Sequence, residues 1–551
     1  MSGILDPREA ERAFRPREPR PSTLAEVLER CAARGLELGL DGDPGTPVTG
    51  VCLDSRAVLP GDVYVAVPGA NRHGADFCAQ AAEAGAVAAL TDDDGASRAR
   101  DAGLAVLLAP SVRDAVGTLA SAVFGTGEGG PALYGVTGTN GKTTTSYFIR
   151  SLLNRLGSET GLIGTIEIAV GPTRVPSVLT TPEAPQLHAL MARMREAGIE
   201  RAAMEVSSHA IDYRRTAGLG FEVAGFTNLT QDHLDLHGAM EDYFLTKARL
   251  FEPGRSRHAV VVVDDDWGRR LAEERRAAGA GHTWTLATAA DAPDAADWTV
   301  RGVRPYGLGH AFELHGPGGA VLRARTGLPG LFNVANAALA VLMVHASGID
   351  APRLQGILDD GDPLTVEVPG RMQLVGTRPN AIVDFAHNAD ALERAITAVR
   401  GPGPDARVVV VFGATGQRDV GKRPVMGAVA ARHADVVIVT DDDPHDEEPA
   451  GIRRAVLDGA LSAIAAEGLA STAFESHPRA DAIREAVRLA RPQDTILVAG
   501  RGHEAWQEVK GVNLALDDRE ELRAALAEAG RGAAGGPAGG DGDSTRGPAA
   551  E

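Results

Sequence analysis

At 551 residues the chain exceeds what a single hydrophobic core supports, and three domains are expected. Its 44% hydrophobic and 23% charged residues are those of a soluble globular protein, and a net charge of −19 excludes general binding to nucleic acid or to an anionic membrane surface. Cys31, Cys52 and Cys78 lack metal spacing, the charged N-terminus has no signal-peptide core, and no apolar run nears the ~20 residues of a membrane span, so a reduced, cytoplasmic protein is expected.

Residues 1–21, rich in Arg, Glu and Pro, read as a disordered leader. A helix is predicted over 23–34, with Leu24, Val27, Leu28 and Cys31 on one face. Asp54-Ser55-Arg56 then lies between short strands at 51–53 and 62–67, followed by the loop Pro68-Gly69-Ala70-Asn71-Arg72-His73-Gly74. Alternating strand and helix signals continue to a linker at 125–131. Alone, this block is a small α/β domain whose polar loop fits turn chemistry and a ligand site equally well.

The strongest local signal is GVTGTNGKTTT at 135–145. A strand at 132–136 enters a glycine-rich turn, and a helix begins near Lys142, with Ile149, Leu152, Leu153 and Leu156 at helical spacing and Gly157 as its stop. Strand, turn and helix N-terminus make a phosphate cradle in which backbone N–H groups and the helix dipole favour anions. Lys142 reaches the outer phosphates and Thr143 offers its hydroxyl to Mg²⁺. The general P-loop pattern has glycine where this chain has Val136, so the loop is a variant with glycines at 135, 138 and 141. Gly138, Thr139, Asn140, Gly141, Lys142, Thr143 and Thr144 are the predicted nucleoside-triphosphate loop.

Thr180 and Thr181 precede a helix predicted at 186–197. A strand at 202–206 delivers Glu205 ahead of Ser207-Ser208-His209, and a strand at 223–228 runs toward His233. In a parallel sheet both strand ends share the edge of the phosphate loop, where a carboxylate suits Mg²⁺. A solvated carboxylate at Glu205 and a capping or packed His233 are the plainer alternatives. The helix predicted at 241–251 carries Lys247, which by spacing is a surface lysine. Asn333 and Asn336 open an alanine-rich helix that closes this block.

From Pro369-Gly370-Arg371 onward, four apolar strands at 381–385, 408–412, 436–440 and 495–498 alternate with helices and predict a second parallel sheet. Each runs into a polar cluster: His387-Asn388, 413–419, 441–445 and 500–504, together a second crevice. Residues 530–551, rich in Gly, Ala and Pro, read as a disordered tail. The expected domains are 22–128, 129–366 and 367–529.

GTNGKTTT, MEVSSHA, FTNLTQDHLDLHG, DYFLTKARLF, FNVANA, VPGRM, DFAHNADAL, FGATGQRDVGKRPVMG, TDDDPHDEEP and AGRGHE occur in this order. The series, covering about 23 to 523, resembles the Mur ligase family and, within it, the MurE branch that adds the third residue of the peptidoglycan stem peptide. The resemblance implies an α/β protein of three domains: a small N-terminal domain for the uridine nucleotide, a central P-loop ATPase domain with a parallel sheet, and a C-terminal Rossmann-like domain for the amino acid. It implies an ATP-dependent ligase in which the D-Glu carboxylate of UDP-MurNAc-L-Ala-D-Glu becomes an acyl phosphate that an amine attacks. Positioning and positive charge carry such a reaction, and the two crevices must meet for the amine to arrive.

By the same likeness Lys142, Glu205, His233 and Lys247 are catalytic. Thr143, Glu205, His233 and Lys247 hold Mg²⁺, the last as carbamylated N6-carboxylysine, because an ammonium would repel the metal and a carbamate would not. Asn333, Arg371, Asp384, His387 and Asn388 join the loop around ATP. Leu53, Ser55, Ala70, Asn71, Arg72, Thr180, Thr181, Ser207 and Arg215 take the UDP-MurNAc-dipeptide, and Arg418, Asp442, Asp443, Pro444, His445, Gly500 and Glu504 take the amino acid. Only small-molecule partners and a monomer are expected.

The chain departs from the pattern where it matters for the amino acid. Ligases of this branch that use diaminopimelate carry Asp-Asn-Pro-Arg where this chain has Asp442-Asp443-Pro444-His445. Arginine grips a distal carboxylate with two prongs, whereas His445 offers one charged donor and Asp443 adds a negative charge. That shifts the physical preference toward lysine or ornithine, while the family pattern keeps diaminopimelate ahead. Smaller departures, among them Gln231, Gln417, Arg501, Phe385 and Ala389, leave room for a specialised paralogue with another acceptor, and a non-catalytic nucleotide-binding scaffold is the alternative of another class.

Overall fold

The computed structural model describes residues 7–69, 71–157, 159–289, 296–401, 403 and 405–531. Ala70 and the tail beyond 531 therefore lie outside the described residues. The chain forms two compact units, Met1–Val366 and Glu367–Glu551. No helix among the described residues is long and apolar enough to cross a membrane.

Among the described residues the first unit holds, besides the short pairing of Ser22–Thr23 with Pro47–Val48, two larger sheets. The smaller has the order Gly39–Asp41, Ala105–Leu108, Ala88–Thr91, Asp62–Val65, Gly50–Cys52, parallel except at the first strand. Its core takes in Leu24, Val27 and Cys31, the face foreseen from their spacing, on a helix Leu24–Ala32 that Thr23 and Glu26 close with a capping box. The same core continues through the helix Val112–Phe124 to Ala184, Ala189 and Ala192 of the helix Ala184–Glu196. Apolar side chains shared in this way join the small domain to the one that follows.

The larger sheet has eleven strands among the described residues. Seven, from Thr160–Ile163 through Arg201–Glu205, Ala132–Thr137, Phe221–Phe226, Ser256–Val262 and His282–Ala287 to Trp298–Tyr306, run parallel. Antiparallel strands flank both edges, so the expectation of a parallel sheet holds for the centre only. The strand that feeds the phosphate loop lies between Arg201–Glu205 and Phe221–Phe226, which fixes the edge to which their last residues are delivered.

The leader is a correction. Pro7–Phe14 is a helix, and Phe14, Glu11 and Arg15 are buried. Arg15 donates to both oxygens of Asp62, at 2.9 and 3.0 Å, to Glu11 at 2.9 Å and to the Val51 carbonyl at 2.9 Å. It fits because residue 50 is glycine: a Cβ there would stand 1.5 Å from its Nη1. The carboxylate of Glu196 accepts from the Arg17 and Glu18 amides at 2.8 and 2.7 Å. Composition reads such a segment as solvated, but its charges have buried partners far along the chain.

In the second unit, Asn380–Asp384, Thr495–Ala499, Val408–Phe412, Val436–Val439 and Thr472–Glu475 form a parallel sheet in that order, edged by the antiparallel Gln373–Thr377. Four of these strands are those foreseen; the two outer ones, half-exposed or polar, gave no apolar run. A small hairpin, Trp506–Val509 with Val512–Ala515, follows the last central strand. Below the strand ends Arg479 and Asp518, both fully buried, pair at 2.7 Å.

Replacing Arg15 by Met would leave Asp62 and Glu11 buried without their cation. Breaking a buried pair costs about 3–5 kcal/mol, and the first unfolding transition in urea should move down accordingly. A loss below about 1 kcal/mol would show that the leader's ion cluster does not hold the first unit together.

Candidate active site

The strand Ala132–Thr137 ends in Gly138, and the helix Lys142–Asn154 starts after Gly141, which serves as N-cap without a side-chain cap. Both glycines have positive φ, +142° and +91°. A Cβ on Gly138 would stand 1.9 Å from Thr227 Oγ1, and one on Gly141 2.2 Å from Asn336 Oδ1. The turn between them is tied down. Thr139 N donates to the Asn228 carbonyl at 2.9 Å, Asn140 N to Asn228 Oδ1 at 3.1 Å, and Thr227 Oγ1 to the Asn140 carbonyl at 2.7 Å. Asn333 Oδ1 accepts from Asn336 at 3.1 Å, which brings Asn333 to the same loop. The result is a rigid turn at the positive end of a helix dipole, a form suited to phosphate. Thr144 is buried in the first turn of that helix.

Two lysines converge on one carbonyl. Lys142 Nζ donates to Gly138 O at 3.0 Å and Thr139 O at 2.8 Å, and Lys247 Nζ to Gly138 O at 2.9 Å. Lys247 is no surface residue: it is 1% exposed, on the helix Met240–Ala248, with Nζ 4.5 Å from the centre of the Tyr243 ring. Burial, reinforced by the Lys142 cation and opposed by Asp232, lowers its pKa well below the ordinary lysine value. The shift favours the neutral amine. Tyr243 in turn lies 3.3 Å from Thr139 Oγ1 and stacks at 4.9 Å on His237. His233, at φ +53°, packs edge-on to His209 at 4.9 Å and lies 6.3 Å from the Tyr243 ring, so it belongs to this cluster.

Glu205, the last residue of its strand, is fully buried. Its Oε2 accepts from Thr143 Oγ1 at 2.8 Å and Thr165 Oγ1 at 2.9 Å, its Oε1 from Thr165 N at 2.8 Å. The solvated alternative is thereby excluded. Thr165 was not foreseen: it follows a short strand in no recognisable motif, and only the Gly164 before it, where a Cβ would stand 2.3 Å from Glu205 Oε1, hints at a close approach. Around this carboxylate lie Thr180, which accepts from Thr165 Oγ1 at 3.1 Å, and Thr181, which donates to the Glu205 carbonyl at 2.8 Å and accepts from Ser207 N at 3.1 Å. Arg215 joins them through the Thr181 carbonyl at 3.3 Å and Glu183 at 2.8 Å. In the smaller sheet's loops Ser55 donates to Gln80 at 2.9 Å, Leu53 is half-buried, and exposed Asn71 and Arg72 share one turn, Arg72 lying over Phe77.

The second unit gathers its own polar edge. Asp384 accepts from the Met372 and Ala386 amides at 2.7 and 3.0 Å; burial pushes its carboxyl up and Arg371 draws it down. Arg371 lies over Phe385 at 4.1 Å, beside His387, and Asn388 caps the following helix. Gly500, at φ +112°, admits Asp442: a Cβ would stand 2.8 Å from its Oδ2. Asp443 pairs with Arg501, which is fully buried and also lies 3.4 Å from Asp442, so the extra negative charge of Asp443 is partly offset by a guanidinium shared with a second carboxylate. Pro444 O would meet a Cβ on Gly416 at 2.0 Å, bringing the 413–419 loop, with exposed Arg418, against this turn. His445 pairs with Glu508 of the hairpin. Burial, with Asp442 and Asp443, pushes Glu504 up to about 8.

The family models for the Mur ligase family catalytic domain, the Mur ligase middle domain and the Mur ligase glutamate ligase domain match residues 47–123, 136–344 and 370–502. The chain is similar to a UDP-N-acetylmuramyl-tripeptide synthetase of Leifsonia xyli, 44% identical over 95% of this chain and 99% of the relative. A UDP-N-acetylmuramoyl-L-alanyl-D-glutamate–2,6-diaminopimelate ligase of Streptomyces coelicolor is 43% identical over 93% and 98%. Among solved structures, one of a ligase of the latter name matches with TM-score 0.63 and 28% identity, over 93% of this chain and all of the other. MurF from Acinetobacter baumannii, 21% identical with TM-score 0.64 over 93% and 99%, shares the fold.

Because the folded state holds the Glu504 proton that the unfolded chain releases above the ordinary value of 4.5, this group's contribution is complete below that pH and is lost as pH rises through about 8. The melting temperature of Glu504→Gln minus that of wild type should therefore grow more positive between about pH 5 and pH 8. A constant difference would contradict the raised carboxyl.

Proposed function

The chain belongs to the Mur ligase family, and on that footing we propose that it joins the side-chain carboxylate of D-Glu in UDP-MurNAc-L-Ala-D-Glu to the amine of a diamino acid, diaminopimelate ahead of lysine or ornithine. It is an ATP-dependent ligase of peptidoglycan precursor synthesis. The observation that carries the detailed reading is the convergence of Lys142 and the buried Lys247 on the Gly138 carbonyl, within a loop shaped for phosphate.

A carboxylate and an amine do not condense unaided in water. The D-Glu oxygen attacks the γ-phosphorus, ADP departs, and the acyl phosphate forms. The amine then adds to the acyl carbon, loses a proton, and inorganic phosphate leaves as the amide closes. Repulsion between the two anions dominates the first step, so Lys142 and the loop amides act by holding charge in place. Thr180, Thr181, Ser207 and Arg215, gathered beside Glu205, would present the D-Glu carboxylate.

Glu205 is a wholly buried carboxylate met by hydroxyls and an amide rather than a side-chain cation, which fits a divalent ion. Among the described residues no three His, Cys, Asp or Glu converge as a ready metal cage, and Mg²⁺ characteristically takes one or two carboxylates plus substrate phosphates. Thr143 and Glu205 would hold one Mg²⁺, with His233 and a Lys247 carbamate at a second, and the ions would neutralise phosphate charge. In its neutral form, which burial favours, Nζ of Lys247 can attack CO₂, forming the N–C bond and releasing a proton. We assign the enzyme to the cytoplasm, where its nucleotide-linked substrate and ATP are found, acting as a monomer.

In the second unit, the pairing of Asp443 with Arg501 lessens the charge that stood against a distal carboxylate. Phosphate release with ATP, Mg²⁺ and UDP-MurNAc-L-Ala-D-Glu should accordingly be strongest with diaminopimelate among diaminopimelate, lysine and ornithine. Preference for lysine or ornithine would reverse the assignment of the amino acid, and silence throughout would favour another acceptor. Lys247→Ala should lower turnover at least about 100-fold and recover with added short-chain carboxylic acid. Turnover unchanged in that variant would overturn the carbamate and, if wild type is also silent, support the scaffold alternative.

A further inference from the structure

Resting on the reading above, the geometry points to Glu508 as a positioning residue that sets how His445 reads the far end of the incoming amino acid. His445 stands where the likeness leads one to expect arginine, and the structure pairs it with Glu508. His445 has a left-handed backbone, φ +51°, and it is held there by the hairpin. Its carbonyl accepts from Lys510 N at 2.9 Å, and it pairs as a bridge with Val509. The preceding residues are held by the same strand: Gln507 Nε2 donates to the Asp442 carbonyl at 2.6 Å and Glu508 N to Asp443 Oδ1 at 3.1 Å. Trp506–Val509 thus serves as the template for the whole turn.

On that template the Glu508 carboxylate meets His445 Nδ1. Nδ1–H donates to this carboxylate, and Nε2 can donate to a ligand carboxylate when the ring is doubly protonated, an imidazolium whose charge Glu508 offsets. The ring keeps 21% of its surface exposed. The other charges beside it are engaged: Asp443 with Arg501, Glu447 with Arg423, and Asp446 with the Gln417 amide. An anion on Nδ1 also balances the charge that the ring carries when Nε2–H is presented to a carboxylate. The dyad therefore recognises a distal carboxylate with one oriented donor, where arginine would use two and need no counterion. Glu508 is what makes a histidine adequate for the task.

Diaminopimelate and lysine differ by that distal carboxylate alone, which makes them the probes. With the full-length enzyme, ATP and UDP-MurNAc-L-Ala-D-Glu, Glu508→Gln should raise KM for diaminopimelate about tenfold. kcat, KM for ATP and KM for lysine should stay within about twofold. Glu508→Asp, which keeps the charge, should lie between wild type and the Gln variant. Adding His445→Arg to Glu508→Gln should restore KM for diaminopimelate, since a guanidinium needs no partner to stay charged. An unchanged KM for diaminopimelate in Glu508→Gln, or an equal rise for both amino acids, would overturn the role of Glu508 while leaving the ligase reading intact. Wild type inactive with both amino acids would overturn the proposed function, and this inference with it.

Discussion

The first unit depends on one buried carboxylate. Glu205 ends a central strand of the large sheet and is met by Thr143 from the phosphate-loop helix and by Thr165 from the neighbouring strand's end. Three chain segments are thereby fixed to one pair of oxygens. A carboxylate without water costs several kcal/mol unless its lone pairs are occupied, so the loop, the hydroxyls and the strand end have little freedom to rearrange. The same constraint accounts for the charge pattern nearby. Lys142 and Lys247 are kept one step away, on the Gly138 carbonyl.

A second theme is neutralisation inside the structure. Arg15 with Asp62, Arg479 with Asp518, and Arg501 with Asp443 are pairs in which a buried guanidinium meets a carboxylate from a distant part of the sequence. They make individual charges poor guides to what a surface will bind. Asp443 would repel a substrate carboxylate if it stood alone, but beside Arg501 it is structural.

What could be seen in the sequence was what is local. The phosphate loop, the strand delivering Glu205 and the four central strands of the second sheet were legible because each rests on a short run of glycine, apolar or capping residues. What escaped depends on contacts far along the chain. Lys247 looks like a surface lysine on its helix, and only the fold brings the Gly138 carbonyl to it. Thr165 carries no motif, and the 7–18 leader looks solvated until Asp62, Gln186 and Glu196 are brought to it. The role of the hairpin at 506–515 was invisible for the same reason, since Glu508 and His445 are 63 positions apart.

The central claim is that the enzyme activates a substrate carboxylate by forming an acyl phosphate in this loop. The most direct test uses UDP-MurNAc-L-Ala-D-Glu carrying ¹⁸O in both oxygens of the D-Glu side-chain carboxylate, turned over with ATP, Mg²⁺ and diaminopimelate. The account predicts one ¹⁸O in the inorganic phosphate of every turnover, because the oxygen that attacked phosphorus leaves with it. Phosphate free of label while amide accumulates would contradict it.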